Sequence, residues 1–326
     1  MTIHKPNKVD LGFFPTPLVK LENLTRALDG PEILMKRDDL TGLALGGNKT
    51  RKLEFILRDA LDQGCDTIIS AGAAQSNHCR QTAAAAAQLQ LECHLILGGY
   101  APDEINGNLL LDDLLGAHIH WAGDKRKGED IPALAKSLES EGKKPYVVPY
   151  GGSNELGAYG FANALVELES QTDTSAISHI VFASSSGGTH AGLMVGKALV
   201  NRDYHLIGIN IDKDESANMT FEQVIVNLAN STSRLINANS EFTLDQLILN
   251  DHYLGDGYGE VGELEKEAIT LLAQQEGILT DPVYTGRAMG GMIDMIRTGQ
   301  LDKDDKVLFW HTGGVPAIFA YADNLK

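Results

Sequence analysis

Short apolar runs and stretches of helical periodicity take turns along most of this chain, and that alternation limits its fold more than any other feature. Leu53, Ile56, Leu57, Ala60 and Leu61 fall on one helical stripe stopped by Gly64, and residues 67–70 read as a buried strand. The same reading predicts helices over 81–88, 109–115 and 132–140, with strands over 91–97, 117–121 and 146–149. It continues with helix 155–169, strand 180–184, helix 191–200 and strand 206–211, then helices 263–275 and 288–296 and strand 306–311. Strands separated by helices mean βαβ units and mainly parallel sheets. A single core stops growing near ~250–300 residues, so 326 residues call for two domains. The turn Tyr150-Gly151-Gly152-Ser153 is a candidate hinge, and residues 212–262, with weaker periodicity, read as peripheral helices and loops.

Composition removes several function classes. The chain carries 27 Lys+Arg against 44 Asp+Glu, a net charge of −17. Nucleic-acid and anionic-membrane surfaces need clustered cations, so neither partner is expected. Cys65, Cys79 and Cys93 are too few and too evenly spaced for a disulfide framework or a metal-site pattern. A reducing compartment follows, and no metal site is expected. The N-terminal residues lack the apolar run of a secretory signal. The longest stretch free of Asp, Glu, Lys and Arg, 174–196, is broken by serines, glycines and histidines, so a soluble cytoplasmic protein is expected.

Ligands of parallel sheets bind where strands end and helices begin. The loop Gly46-Gly47-Asn48-Lys49-Thr50-Arg51-Lys52 nearly spells a P-loop, but Asn48 displaces the lysine. Lys49 instead reads as a nucleophilic amine, its pKa depressed by Arg51 and Lys52. Three cations in a first turn oppose the helix dipole and imply an anion to neutralise. Gln75-Ser76-Asn77-His78 is a denser polar cluster than an N-cap requires, and suits a carboxylate. Ser184-Ser185-Ser186-Gly187-Gly188-Thr189, between a strand and a helix, reads as a phosphate cradle. Gly257-Tyr258-Gly259-Glu260-Val261-Gly262 spells GxGxxG without a strand before it, and Glu260 would face a pyrophosphate, so a dinucleotide site is disfavoured. Tyr258 there, and Tyr284 and Thr312 in later turns, offer hydroxyls to a ligand, whereas His311 reads as a structural histidine. No Gly-x-Ser-x-Gly elbow and no His-Glu-x-x-His is present.

These motifs, in this order from Pro15-Thr16-Pro17-Leu18 to Tyr321, resemble the D-cysteine desulfhydrase and 1-aminocyclopropane-1-carboxylate deaminase family of pyridoxal-phosphate enzymes. The resemblance implies an α/β fold of the tryptophan-synthase β-like type (fold type II), with two open, mainly parallel twisted sheets in two domains. It places a small domain over 49–155, inserted into a large cofactor-binding domain of 1–48 plus 156–326. Pyridoxal 5'-phosphate is the implied cofactor and a homodimer the implied assembly. Residue by residue, Lys49 resembles the Schiff-base lysine. Lys52, Ser186, Gly187, Gly188 and Thr189 resemble the phosphate site, with Asn48 beside the cofactor and Thr312 near its pyridine nitrogen. Gln75, Ser76, Asn77 and His78 resemble the substrate-carboxylate loop, Ser76 also being a candidate in proton transfer. Tyr258 and Tyr284 resemble the paired active-site tyrosines. The family's deaminases carry Glu after the second tyrosine, and this chain has Thr285, as the desulfhydrases do.

The implied reaction is β-elimination from D-cysteine, giving pyruvate, ammonia and sulfide, with the Lys49 amine or a tyrosine removing the α-proton. L-cysteate sulfo-lyase activity is the nearest alternative. It would need a further anion-binding group, for which His190 and Arg287 are candidates. Deamination of 1-aminocyclopropane-1-carboxylate, amino-acid racemisation and a cofactor-binding module without turnover are the others. The acidic chain still suits an anionic cofactor if cations concentrate at a few loops, with Lys49, Arg51 and Lys52 foremost.

Overall fold

The computed structural model describes residues 3–125, 128–212 and 219–326. Part of the weakly periodic region, 213–218, lies outside the described residues. The chain begins with β1 (Leu18–Lys20), α1 (Glu22–Leu28) and β2 (Glu32–Arg37). It continues through α2 (Lys49–Asp62), β3 (Thr67–Ala73), α3 (Asn77–Gln88), β4 (Glu92–Gly98), α4 (Gly107–Leu114), β5 (His118–Trp121), α5 (Ile131–Ser140) and β6 (Pro145–Val147). Then come α6 (Glu155–Gln171), β7 (His179–Ser184), α7 (Gly188–Val200), β8 (His205–Asn210), α8 (Phe221–Leu235) and β9 (Ile248–Asn250). The last elements are α9 (Glu263–Glu276), α10 (Thr285–Arg297) and β10 (Lys306–His311).

Among the described residues these strands form two sheets, ordered β1-β2-β10-β7-β8-β9 and β5-β4-β3-β6. Every neighbouring pair is parallel except β1 with β2. The alternation of strand and helix predicts this α/β frame, and each helix predicted from periodicity forms within a few residues of its expected ends. Three early elements, β1, α1 and β2, escape that reading. The region read as peripheral helices and loops holds α8, an amphipathic helix that buries Ile225, Val226 and Ala229, and β9, an edge strand that reading does not give.

The larger sheet packs α6, α7 and α8 on one face through Phe161, Leu165, Phe182, Leu193 and Trp310. Its other face holds α1, α9 and α10 through Leu24, Leu272, Met289 and Met292. In the smaller sheet, Ala83 to Ala86 of α3 join Leu53, Ile56 and Leu57 of α2 in one core. Close helix approach needs glycine where backbones meet. A Cβ on Gly160 of α6 would lie 2.3 Å from the Arg51 carbonyl oxygen of α2. Alanine would raise helix propensity by about 1 kcal/mol. Overpacking against an immovable backbone costs typically 1–3 kcal/mol, so the clash wins. Gly160→Ala is therefore expected to destabilise the fold, read as a lower urea midpoint; an unchanged or higher midpoint would show that α2 and α6 can separate freely.

Candidate active site

The C-terminal ends of β2, β3, β7 and β10 feed loops into one cavity. It is lined by Asn48, Lys49, Ser76, Asn77, His78, Tyr150, Gly151, residues 183–187, Thr189, His190, Tyr284, Thr312 and Gly313. Gly46 and Gly47 turn the chain into α2 with φ of 72° and 129°. A Cβ on Gly46 would lie 1.9 Å from the Asp39 carbonyl oxygen, so no other residue fits. The turn is fastened where the Asn48 N–H donates to the Thr312 carbonyl at 2.9 Å. Lys49, the first helical residue, is left half-buried at the cavity wall.

Lys52 returns to the same side of α2 one turn later and is fully buried. Its Nζ donates to the Gly151 carbonyl at 3.0 Å and reaches Ser153 Oγ at 3.5 Å. Neither lysine pairs with a carboxylate among the described residues. Burial pushes the Lys49 amine down to about 8, against a hydrogen bond with Lys52 that pulls it up. Burial first, and then the Lys49 charge, hold Lys52 well below the ordinary lysine range. The expectation that Arg51 and Lys52 depress Lys49 is corrected: burial does so, and Lys52 acts in the opposite sense. Arg51 points away, giving two bonds of 2.8 Å to Asp38 and two of 2.9 Å to Glu167. Of the three first-turn cations, Lys49 and Lys52 alone remain for an anion.

The β7–α7 loop supplies the facing wall. Ser153 Oγ donates to Ser186 Oγ at 2.8 Å and accepts from the Gly188 N–H at 3.1 Å. Gly151 has φ of 64°, and a Cβ there would meet Ser186 Oγ at 2.2 Å. The Tyr150–Ser153 turn, a candidate hinge by sequence, thus closes against the serine loop and lines the cavity. Thr189 Oγ1 accepts from Asn48 Nδ2 at 3.2 Å and so ties this wall to the lysine loop.

Opposite lies the start of α3. Ser76 caps the helix, its Oγ accepting the Cys79 N–H at 3.2 Å. Asn77 Oδ1 accepts from Asn108 Nδ2 at 2.8 Å, which leaves its amide NH₂ as a donor. Ser70 Oγ gives its proton to the Val148 carbonyl, so it receives Nε2–H of His78 at 2.8 Å. Burial, then the Lys49 and Lys52 charges, hold the His78 imidazole well below its usual range. Gln75 differs from its expected place. Its amide donates to the Asn106 carbonyl and accepts from the Asn108 N–H, and it does not line the cavity. It braces the loop together with Asn108, whose Oδ1 accepts from Arg80. Residue type alone did not reveal Asn108, Arg80 or Ser153 in the sequence.

The two tyrosines meet, Tyr258 Oη and Tyr284 Oη being 2.5 Å apart. Burial raises both phenols well above their ordinary value. Asp281 builds the turn that carries Tyr284, accepting the N–H groups of Val283, Tyr284 and Thr285. Thr285 Oγ1 donates to Asp281 Oδ1 at 2.6 Å. His311 is the structural histidine expected, with Nε2 on the Leu279 carbonyl at 2.8 Å. The GxGxxG segment opens no βαβ unit, and the carbonyls of Gly257 and Glu260 accept from Arg287.

A lysine, a phosphate-type cradle and a hydroxyl- and amide-lined wall on two parallel sheets define a class, and the comparisons agree with it. The family model for the pyridoxal-phosphate dependent enzymes matches residues 9–313. The chain belongs to this family. A D-cysteine desulfhydrase of Klebsiella pneumoniae subsp. pneumoniae is 45% identical over 318 residues, covering 95% of each chain. A solved structure described as an ACC deaminase homologue is 37% identical with a TM-score of 0.90, covering 98% of this chain and 96% of its own. An L-serine ammonia-lyase from the fungus Rhizomucor miehei shares the fold, with a TM-score of 0.66 at 16% identity, covering 97% and 98%. The architecture is thus fold type II, as the sequence resemblance implied, and pyridoxal phosphate is the cofactor. The site suits that group: a buried Lys52 and a half-buried Lys49 without acidic partners need an anion, and α7 points its positive N-terminus at the same space.

Proposed function

We propose that the chain is a carbon–sulfur lyase that converts D-cysteine and water to pyruvate, ammonia and hydrogen sulfide. The observation that carries this reading is one cavity whose wall joins Lys49, backed by Lys52 and free of acidic partners, to the carboxylate loop and to Tyr284, which is bonded to Tyr258 behind it. Relatives described as D-cysteine desulfhydrases support the substrate. Lys49 would join the cofactor. Lys52, Ser186, Gly187, Gly188 and Thr189 would hold its phosphate, with Asn48 alongside and Thr312 near the ring nitrogen. When bound, the cofactor supplies an electron sink for charge developing at the substrate α-carbon.

The chain's residues do the rest. Ser76 and the Asn77 amide would bind the substrate carboxylate, with His78 behind them. The Lys49 Nζ, its pKa lowered to about 8 by burial, would take the α-proton. Tyr258 and Tyr284 are held as neutral phenols, so they suit proton donation to the departing sulfur better than proton abstraction. Released aminoacrylate hydrolyses to pyruvate and ammonia.

Two alternatives lose their handles. A sulfonate substrate calls for a further cation. Arg287 is spent on Glu265 and four backbone carbonyls, and burial takes the His190 imidazole down to about 3. Deamination would use a carboxylate after the second tyrosine, where Thr285 is fully buried and bonded to Asp281. The test offers D-cysteine, L-cysteine, L-cysteate and 1-aminocyclopropane-1-carboxylate, and measures pyruvate, 2-oxobutyrate, sulfide and sulfite. D-Cysteine is expected to lead by more than about 100-fold in kcat/KM, a ratio that oriented polar contacts can supply. Sulfite from L-cysteate as the main product, or no product from any of the four, would overturn the reading.

The division into 1–48 plus 156–326 and 49–155 belongs to the same proposal, as do a homodimer and a cytoplasmic location. Their support is the family likeness and three free cysteines. Among the described residues no helix is long and apolar enough to cross a membrane.

A further inference from the structure

The smaller sheet carries a cluster of imidazoles that the proposed reaction does not use. Parallel pairing puts His94 of β4 directly beside His118 of β5, and Ile96 beside His120. Partners in register share a face, so Glu92, His94, His118 and His120 all stand on the side that α5 covers beyond Ile96. The His94 ring stacks on His118 at 4.7 Å and on His120 at 5.2 Å between centroids. Glu92 Oε1 lies 2.9 Å from His94 Nε2 and 3.8 Å from His118 Nε2, and the three ligand atoms sit within 4.8 Å of one another.

We propose that Glu92, His94 and His118 form a binding site for a borderline divalent cation, zinc(II) being the natural occupant. At metal–ligand distances of about 2.0–2.1 Å, tetrahedral ligands lie roughly 3.3 Å apart, which the present spacings bracket. Two imidazoles and a carboxylate select zinc over magnesium or calcium. His118 is exposed and keeps the fourth position open to water.

The surroundings support the ligands as outer-shell partners do. His94 Nδ1 is 2.9 Å from His120 Nε2, and Lys143 Nζ bonds the other Glu92 oxygen, Oε2. Without metal, His120 Nε2–H donates to His94 Nδ1 and His94 Nε2–H to Glu92. With metal on Nε2, His94 carries its proton on Nδ1 and donates to His120 Nε2, and His120 carries its proton on Nδ1.

The cluster lies at the N-terminal end of β4, whereas the cavity opens at the C-terminal ends of the strands. Four residues of strand, roughly 13 Å, separate His94 from the C-terminal end of β4. β5 is an edge strand, so the ion would clip that edge to β4.

The test titrates tag-free holoenzyme with zinc chloride in a chelator-free, phosphate-free buffer, following heat and the thermal unfolding midpoint. Wild type is expected to bind one zinc(II) per chain and to unfold at higher temperature with it. His118→Ala alters an exposed side chain and should lower the affinity by at least about tenfold, removing the thermal shift. The cofactor's absorbance reports that both proteins remain loaded. A wild type without saturable binding overturns the proposal, as does equal affinity in His118→Ala.

Discussion

Lys49→Ala is expected to lower pyruvate formation from D-cysteine by more than about 10³-fold, since one group would both carry the cofactor and move the α-proton. It should also remove the near-visible absorbance of a cofactor joined to an amine. Retention of that band in the variant would sink the assignment. The fold should survive, because Lys49 is half-buried and pairs with no carboxylate among the described residues. Removing it even relieves Lys52 of a like charge. A thermal midpoint at or above that of cofactor-free wild type therefore separates lost chemistry from lost structure.

The same amine predicts a pH dependence. A Lys49 pKa of about 8 leaves roughly 300-fold more neutral amine at pH 7 than an unperturbed lysine would offer. Reloading of cofactor-free protein should accelerate as pH rises toward 8 and level off above it. A rate still climbing at pH 10 would mean that burial does not depress Lys49.

The site was legible in residue types and much less so in direction. Glycines, hydroxyls and amides at strand–helix turns marked the loops that line the cavity, because those residue types carry chemistry wherever they stand. Arg51 and Gln75 lie among them and point elsewhere. On a helix two residues turn the side chain by about 200° and three bring it nearly back. So Lys52 shares the Lys49 face and Arg51 does not, a rule available from spacing alone. The glycines of the Tyr150–Ser153 turn read as a hinge, since its partner Ser186, remote in sequence, gives no local signal. In the fold, β2 was hidden because it carries Lys36 in its interior. That residue is fully buried and bonded to Glu167 at 2.6 Å, a neutralisation that periodicity does not reveal.

Arg51 decides between the two descriptions of the first turn. Its guanidinium stacks 4.6 Å from the Phe14 ring and clamps Asp38 and Glu167. Asp38 also accepts from Trp310 Nε1 at 2.8 Å, so the clamp joins α2, β10 and the segment after β2. Burial would raise the Glu167 carboxyl, but bonds from Arg51 and Lys36 outweigh it and hold the group to about 2. Arg51→Met leaves buried carboxylates without their main partner, and should cost about 3–5 kcal/mol of stability. Glu167 is depressed in the folded state, so its contribution is complete above its ordinary value of 4.5 and fades as pH falls toward 2. Urea unfolding curves of the two proteins should therefore differ most above about pH 4.5 and draw together in acid. Turnover per bound cofactor should stay near wild type in the variant that remains folded. The opposite pattern, full stability with weakened cofactor binding, would return Arg51 to the anion site from which its hydrogen bonds remove it.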